Sequence, residues 1–342
     1  MPQTCILDFL DGEPRQQHND EPKFCDLFCG IGGASCGARD AGYSVYLAVD
    51  CWEEALEVHK KNHPLCTHIC RMLPPTSPLP FPESGKWHLH GSPPCTLLSG
   101  AYNLRSECEV EEGLALVRWY IEFAINSNAT TWSMEQVPAQ AIIRVLEEYK
   151  VSGSNYRKKL DYVILRMDTI GLPQKRKRLI VGSPQLIAGI RRLDKVKRNV
   201  CDVIPNPKGT HIRNHTRYAW TSKRLRNGTK VRILKKYDMD NDLCWSIAGP
   251  SQTVVASYAL RWATPGTDTK SFVLDNSDLA ELQSFPRDYI FSAKKTMCRI
   301  QIGNAFPPMV ARKMLTYQQH AQKPFTPYDR GSPSLVWTSP TT

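Results

Sequence analysis

Three features that would place this 342-residue chain in a membrane, in an export pathway or in a repeat array are missing from it. No apolar run approaches the roughly 20 residues that a helix needs to cross a bilayer. Residues 1–22 are polar and acidic, where a secretory signal would be basic and then apolar. No internal repeats are present, so we expect no repeat architecture. These absences predict a soluble intracellular protein without a membrane partner, nuclear if the source is a eukaryote and cytoplasmic if it is a bacterium.

Metal-binding cysteine spacing is also lacking, although the chain contains 12 cysteines. Cys25 and Cys29 are four apart, as are Cys66 and Cys70, but neither pair has a matching second pair. A chain of this length can bury a core without disulfides, so reduced thiols of the cytosol or nucleus fit better. We therefore expect neither a metal site nor a disulfide framework.

Acidic residues are outnumbered, 33 against 44 Lys and Arg, which gives a formal net charge of +11. A basic excess of this size favours a polyanionic partner such as nucleic acid. Ribosomal and membrane-surface proteins share the property, so charge alone does not choose between them. Basic side chains and interleaved aromatics are concentrated between about residues 183 and 245, and this texture favours nucleic acid as the partner.

Strands that alternate with helices predict an open, Rossmann-like α/β sheet. Its first unit is a buried strand at 23–28, a turn containing Gly30, Gly32 and Gly33, and a helix. Such a turn lets the backbone approach a nucleotide-like ligand, although many glycine turns are only tight turns. Asp50 ends the second strand, where it can accept hydrogen bonds from ribose hydroxyls, cap the next helix, or do both.

Changes in composition and in the predicted secondary structure along the chain divide it into five segments. Residues 1–22 form a flexible N-terminus, 23–183 a catalytic domain, and 184–248 a small irregular domain with a basic face. Residues 249–322 return to the catalytic domain, and the Pro/Ser/Thr-rich stretch 323–342 is predicted to be disordered.

The most distinctive stretch is the turn that carries Pro93, Pro94 and Cys95 after a short predicted strand. Two prolines fix the backbone just ahead of the thiol, which would hold Cys95 where a substrate can reach it. For an arbitrary cysteine the better interpretation is a buried and inert thiol. The choice depends on the other motifs.

Six blocks, in order, resemble the DNA (cytosine-5) methyltransferase family over about 24–319. The blocks are Asp26-Leu27-Phe28-Cys29-Gly30-Ile31-Gly32-Gly33, Pro93-Pro94-Cys95, Glu135-Gln136-Val137, Gln174-Lys175-Arg176-Lys177-Arg178, Leu282-Gln283-Ser284-Phe285-Pro286 and Gly303-Asn304-Ala305-Phe306-Pro307-Pro308. The resemblance implies a methyltransferase sheet that uses S-adenosylmethionine, with the basic insert as target-recognition domain. The cofactor residues that it implies are Phe28, Gly30, Gly32, Gly33, Asp50, Cys51, Pro94, Asn304 and Ala305. The family often carries an acidic residue after the third strand, and none is found near Arg71.

The chemistry gives the catalytic residues distinct roles. A Cys95 thiolate can add to C6 of cytosine, which makes C5 nucleophilic enough to take the methyl group. Glu135 can hold the N3 and amino edge, while Arg178, with Arg176 nearby, can bind O2. The non-catalytic alternatives are a helix cap for Glu135 and a nuclear-localisation signal for the basic run. A buried strand is predicted to continue directly from that run, which argues against an exposed signal. Gln136 stands where the family more often has asparagine, and we expect it to orient the turn after Glu135.

A stacked cytosine cannot reach Cys95, so the resemblance implies a base flipped out of double-stranded DNA. The loop at 96–103 would close over that base, with Ser99 and Arg105 near backbone phosphates. The insert supplies the other predicted DNA-binding residues, Arg213, Arg217, Lys223, Arg224 and Arg226. We expect a monomer.

Two other functions remain open from the sequence. An RNA methyltransferase, such as one acting on tRNA, would share nearly every catalytic block. A catalytically silent nucleic-acid-binding regulator would keep the fold, but the intact Cys95, Glu135 and Arg178 speak against it.

Overall fold

The computed structural model describes residues 21–94, 107–151, 159–204, 209–211, 232–234, 245–246, 249–256, 261–263 and 271–322. Several predictions lie outside these residues: both predicted flexible ends (apart from 21 and 22), the loop at 96–103, and the side chains of Cys95, Ser99, Arg105, Arg213, Arg217, Lys223, Arg224 and Arg226.

A seven-stranded sheet organises the chain, in the order β3-β2-β1-β4-β5-β7-β6. Its strands are β1 (Lys23–Leu27), β2 (Ser44–Asp50), β3 (Thr67–Cys70), β4 (Trp87–Gly91), β5 (Thr131–Gln136), β6 (Asp161–Arg166) and β7 (Lys177–Gly182). The neighbours from β3 to β5 pair in parallel, while β7 is antiparallel to both β5 and β6. The carboxyl ends of β1, β2, β4 and β5 therefore lie along one edge, where open α/β sheets bind ligands.

Eight helices accompany the strands in the described part of the chain. They are α1 (Gly33–Asp40), α2 (Glu53–Asn62), α3 (Glu107–Asn126), α4 (Gln140–Val151), α5 (Pro184–Arg191), α6 (Asn276–Leu282), α7 (Lys295–Asn304) and α8 (Pro308–Gln322). Short 3-10 turns occupy Met167–Thr169 and Val200–Asp202. The helix at Lys295–Asn304 was not predicted from the sequence; its run of polar and apolar residues lacks a clear helical period.

Both faces of the large sheet are covered, because successive side chains of a strand point to opposite faces. On β1, Cys25 and Leu27 join one apolar cluster with α3 and α4. Phe24 joins a second cluster with α1, α5 and α8. Burial on both faces makes β4 buried along its whole length although it alternates apolar residues with His88 and His90, and His88 is paired with the hydroxyls of Thr131 and Ser133 on β5.

A second, antiparallel sheet has five short strands in the order β10-β9-β11-β12-β8. The strands are β8 (Gly209–His211), β9 (Arg232–Leu234), β10 (Trp245–Ser246), β11 (Arg261–Ala263) and β12 (Ser271–Leu274). The prediction for 184–248 was an irregular domain. The observed sheet instead runs from residue 209 to residue 274, and α5 packs beside the large sheet, where Tyr317 lies over Gly189. Within the described ranges, no helix has the length and apolar character of a membrane span.

Candidate active site

The glycine turn joins β1 to α1 in a backbone conformation that only small residues adopt easily. Gly30 has φ 51° and Gly32 has φ 87°, both in the left-handed region, and Phe28 shares it at φ 58°. A Cβ added to Gly33 would lie 2.1 Å from the carbonyl oxygen of Phe306. Gly33 therefore lets the last motif block, Gly303 to Pro308, pack directly against the first.

Asp50 holds the glycine turn from the end of β2. Its Oδ2 accepts a hydrogen bond from the Gly30 amide at 2.7 Å, and its Oδ1 accepts one from the Trp52 amide at 2.8 Å. Burial raises the pKa of this carboxyl group, and the backbone hydrogen bonds oppose that rise. Since Trp52 immediately precedes α2, Asp50 helps to start that helix. Ribose binding stays a prediction for the lone pairs that remain.

The other predicted cofactor residues reach the surface to different degrees. Cys51, Pro94 and Asn304 are exposed, and Phe28 and Ala305 are half-buried. The Phe28 ring meets Trp119 edge-on, with 6.3 Å between ring centroids. After β3, where an acidic residue was expected and not found, Arg71 donates to the Ser77 hydroxyl at 2.7 Å.

The proline turn before Cys95 is attached to the strands on both sides of β4. The Ser92 amide donates to the Leu27 carbonyl at 3.1 Å. From β5, the buried Gln136 donates through Nε2 to the Pro93 carbonyl at 2.7 Å, and its Oε1 accepts from the Val137 amide at 2.9 Å. One side chain thus connects the turn after Glu135 with the turn that leads to Cys95.

Glu135 and Arg178 form an ion pair, with 2.6 Å between Oε1 and Nε. The pair lies where β5 ends and antiparallel β7 begins. The Glu135 side chain is 12% exposed and that of Arg178 is 16% exposed, so both remain reachable while being largely shielded from water. Such a pair places a hydrogen-bond acceptor and a cationic donor side by side, where one polar ligand could contact both.

Arg176 has different surroundings from those predicted. It is 2% exposed, and its terminal nitrogens donate to the backbone carbonyls of Val254, Gly303 and Ala305 at 3.1, 3.4 and 3.2 Å. We had predicted Arg176 to assist Arg178 at the base. Its contacts instead brace the segment before β7 against the last motif block, and Arg178 is the arginine that pairs with Glu135.

Two buried glutamines complete this bracing, and their residue types alone did not predict a role for them. Gln174 donates to the Leu282 carbonyl at 2.8 Å and to Oε1 of Gln283 at 2.7 Å, and it accepts from the Val254 amide at 3.0 Å. Gln283 in turn donates to the Ala305 carbonyl at 2.5 Å. The sequence does contain a signal for this role. Gln174 is an uncharged residue at the start of a basic run, and Gln283 lies in a largely apolar motif block. A buried amide in either place needs hydrogen-bond partners.

The fold has counterparts among solved methyltransferases. A variant of Spodoptera frugiperda DNMT2 superimposes with a TM-score of 0.57 at 15% identity, over 87% of this chain and 99% of that one. The S. pombe Dnmt2 methyltransferase gives 0.53 at 13% identity, over 89% and 100%. At such identities the likeness concerns the fold, and it confirms the predicted Rossmann-like methyltransferase sheet.

Sequence comparison is more specific. The family model described as "C-5 cytosine-specific DNA methylase" matches residues 22–319, so this chain belongs to that family. The Type II methyltransferase M.HgiDI of Herpetosiphon aurantiacus is 26% identical over 87% of this chain and 94% of its own length. M.HindV of Haemophilus influenzae, also a Type II methyltransferase, is 24% identical over 85% and 94%. The prediction of a DNA cytosine-5 methyltransferase is confirmed at the level of the family, and neither alternative function is favoured.

Proposed function

We propose that this enzyme transfers a methyl group from S-adenosylmethionine to C5 of a cytosine flipped out of double-stranded DNA, through a covalent adduct between Cys95 and C6. The observation that carries the proposal is the Glu135–Arg178 ion pair, next along the sheet from the braced turn that leads to Cys95. Family membership supports DNA as the substrate.

The residues at the edge of the sheet fit S-adenosylmethionine. Gly30 has no heavy atom within 4 Å of where a Cβ would be, so its backbone is open to a ligand. No side chain caps the start of α1, which leaves its amides available to a carboxylate. Asp50 uses one lone pair of each oxygen and has others for ribose hydroxyls, with Phe28, Cys51, Pro94, Asn304 and Ala305 completing the site. When bound, this cofactor would supply an electrophilic methyl group.

Cys95 supplies the nucleophile that the cytosine ring requires. Its thiolate would add to C6 and make C5 nucleophilic; C5 would then take the methyl group that the bound cofactor supplies, with the sulfonium–methyl bond breaking to leave a neutral thioether. Removal of the C5 proton by a base then restores the double bond and expels Cys95. The hydrogen bond from Gln136 to Pro93 supports this role, because it fixes the backbone two residues before the nucleophile.

Glu135 and Arg178 stabilise the charge that develops on the ring. Glu135 would bind N3 through a shared proton and the exocyclic amino group directly, whereas Arg178 would donate to O2. Their existing ion pair holds each side chain in position before the base arrives, so little reorganisation is needed. Arg176 acts through the backbone that it braces and is a positioning residue in this proposal.

The DNA contacts of the proposal rest on composition. A base must leave the helix to reach Cys95. Ser99 and Arg105 would contact the backbone beside it, and Arg213, Arg217, Lys223, Arg224 and Arg226 would neutralise phosphates in the target-recognition region.

A transfer assay tests the proposal. Labelled S-adenosylmethionine is supplied with duplex DNA or with tRNA to the wild type, to Cys95→Ala and to the matched control Cys201→Ala. We expect label on DNA with the wild type and the control, and none with Cys95→Ala. Label on tRNA alone would overturn the substrate, and label from Cys95→Ala would overturn the covalent route. DNA binding without transfer by the wild type would favour the silent regulator.

A further inference from the structure

Three side chains that the methyl-transfer chemistry does not use converge where α2 ends and β3 begins. His59 lies in the last turn of α2, Cys66 in the connection, and His68 is the second residue of β3. One ligand atom from each lies within 4.8 Å of the others. His59 is fully buried, Cys66 is 8% exposed, and His68 is half-buried and gives a route from solvent.

From this geometry we infer a site for a borderline-soft divalent cation of the zinc class, held by Nδ1 of His59, Sγ of Cys66 and Nε2 of His68. Imidazole and thiolate are the ligands that such a cation prefers, and tetrahedral sites combine them freely. The cysteine-pair spacing used in the sequence analysis could not reveal the site, because two of its three ligands are histidines. It rests on no part of the methyl-transfer proposal.

His59 is already oriented as a ligand. The Ser35 hydroxyl donates to Oδ2 of the buried Asp26 at 2.6 Å, so Ser35 Oγ accepts from Nε2–H of His59 at 3.0 Å. This assigns the proton to Nε2 and leaves the Nδ1 lone pair facing His68. A ligating histidine commonly donates its other ring N–H to such a partner, which fixes its tautomer.

The observed arrangement needs only a small change to accept an ion. Nδ1 of His59 and Nε2 of His68 lie 2.9 Å apart and share a hydrogen. With metal–nitrogen bonds of about 2.0–2.1 Å, a tetrahedral ion would separate these atoms to about 3.4 Å. The cation replaces the shared hydrogen, His68 carries its proton on Nδ1, and the Cys66 thiol releases one proton.

A third imidazole, that of His63, lies beside the cluster. His63 follows α2, is 5% exposed, and its ring centroid lies 4.7 Å from that of His59. Its Nε2 is buried and has no hydrogen-bond partner within the described structure. A buried nitrogen of this kind is costly unless something binds it, so the protein alone leaves a polar group unpaired beside His59.

The site would stiffen the back of the glycine turn. A Cβ on Gly32 would lie 2.7 Å from Cδ2 of His59, so the His59 ring packs directly against this turn. Ser35, which orients His59, lies in the first turn of α1. Fixing His59 in a coordination shell therefore restrains residues that begin the predicted cofactor site.

The test uses the full-length protein stripped with a chelator and titrated with Co²⁺, whose thiolate charge-transfer band reports a Co–S bond. The variants are Cys66→Ser, His68→Gln and the matched control Cys70→Ser, an exposed cysteine at the end of β3. We expect one tight equivalent with the charge-transfer band in the wild type and in the control. Cys66→Ser should lose the band, and His68→Gln should weaken binding at least about 100-fold.

Zn²⁺ competition and thermal unfolding complete the experiment. Zn²⁺ should displace Co²⁺ and raise the unfolding temperature of the wild type and the Cys70→Ser control, but not of Cys66→Ser. Circular dichroism of the metal-free variants identifies any that fail to fold, in which case His68→Gln, at a half-buried position, decides. Absence of a tight equivalent in the wild type, or an unchanged band in Cys66→Ser, would overturn the inference and leave the cluster as a hydrogen-bond network.

Discussion

Arg176 and Arg178 lie two residues apart in one basic run, but their guanidinium groups have different partners. The guanidinium of Arg176 is enclosed by backbone carbonyls of segments far along the chain. Arg178 pairs with one carboxylate, Glu135, and keeps some exposure. Residue type and motif membership are the same for both, so the difference comes entirely from what the fold packs around each side chain.

The contrast separates two kinds of polar residue in this protein. Arg176, Gln174 and Gln283 are buried and bind main-chain groups, which joins motif blocks that are more than 100 residues apart. Glu135 and Arg178 form an ion pair where β5 ends and β7 begins, and in the proposed function they contact the base. Substitution of the buried residues Arg176, Gln174 and Gln283 should change the stability of the fold. Substitution of Glu135 or Arg178 should change the rate of the reaction.

The largest expected effect is on the reaction rate of Glu135→Gln. The amide keeps the size of the side chain but cannot share a proton with N3 in the same way, so we expect kcat to fall by about 10²–10⁴-fold. Steady-state methylation of DNA at saturating substrate concentrations measures kcat, with the exposed Glu111→Gln as matched control. A loss below tenfold would remove Glu135 from the chemistry.

Arg178→Ala should follow, with kcat lower by about 10²–10³-fold, because a donor to the developing charge is lost. Arg166→Ala is the matched control, since Arg166 is 64% exposed on the neighbouring strand β6. The unfolding temperature should stay close to that of the wild type while kcat falls. If Arg178→Ala lowered the stability of the fold but not the rate per folded molecule, Arg178 would have a structural role like that of Arg176.

Arg176→Met should show the opposite pattern. Methionine fills part of the space but leaves three backbone carbonyls without their charged donor. We expect the free energy of unfolding to fall by about 3 kcal/mol, measured by urea denaturation, with activity per folded molecule largely retained at low temperature. An unchanged stability together with a large loss of rate would return Arg176 to the catalytic group.

Gln136→Leu should reduce activity by about tenfold, which corresponds to about 1.4 kcal/mol. Leucine fits the buried space but cannot donate to Pro93 or accept from Val137. The exposed Gln140→Leu serves as control. Equal activity of the two variants would show that the proline turn is positioned by its own backbone.

The smallest effect concerns pH. Burial lowers the pKa of His90 to about 3, while its nitrogens bond to the Ser133 and Ser92 hydroxyls. The folded pKa lies below the unfolded value of about 6.5, so the unfolded chain binds the extra proton first. The stabilisation is complete above about pH 6.5 and is lost as the pH falls towards 3.

His90→Gln should therefore reduce the acid sensitivity of the fold. Between pH 6 and pH 5 the free energy of unfolding should fall by about 1 kcal/mol less in the variant than in the wild type. Urea denaturation at the two pH values measures the difference. Identical losses in both proteins would mean that His90 titrates equally in the folded and unfolded chains.

Much of the large sheet was predictable because its signals are local. The strand at Ser44–Asp50, the glycine turn and the helix after it follow from apolar runs and from glycine at positions with positive φ. The small sheet was not predictable, since its five strands have two to four residues and pair across gaps in the sequence. Strands that short carry too little periodicity to register as a pattern.

Of the candidate site, the sequence identified the reactive residue types and the order of the blocks. It also identified Gln136 as a link at the turn after Glu135, and the structure adds its second partner, Pro93. The sequence did not distinguish the role of Arg176 from that of Arg178, and it did not predict that Gln174 and Gln283 brace the motif blocks. These roles depend on contacts with residues distant in the chain.

The family and the sheet that carries the site therefore follow from the chain's own motifs, which also predict the chemistry proposed for Cys95, Glu135 and Arg178. These depend on residue type and local spacing, which are written in the chain. Folding, in contrast, sets which polar groups are buried, which carbonyls Arg176 binds, and the convergence of His59, Cys66 and His68. Burial and convergence arise only when the chain folds, because that is when distant segments exclude water from the same place.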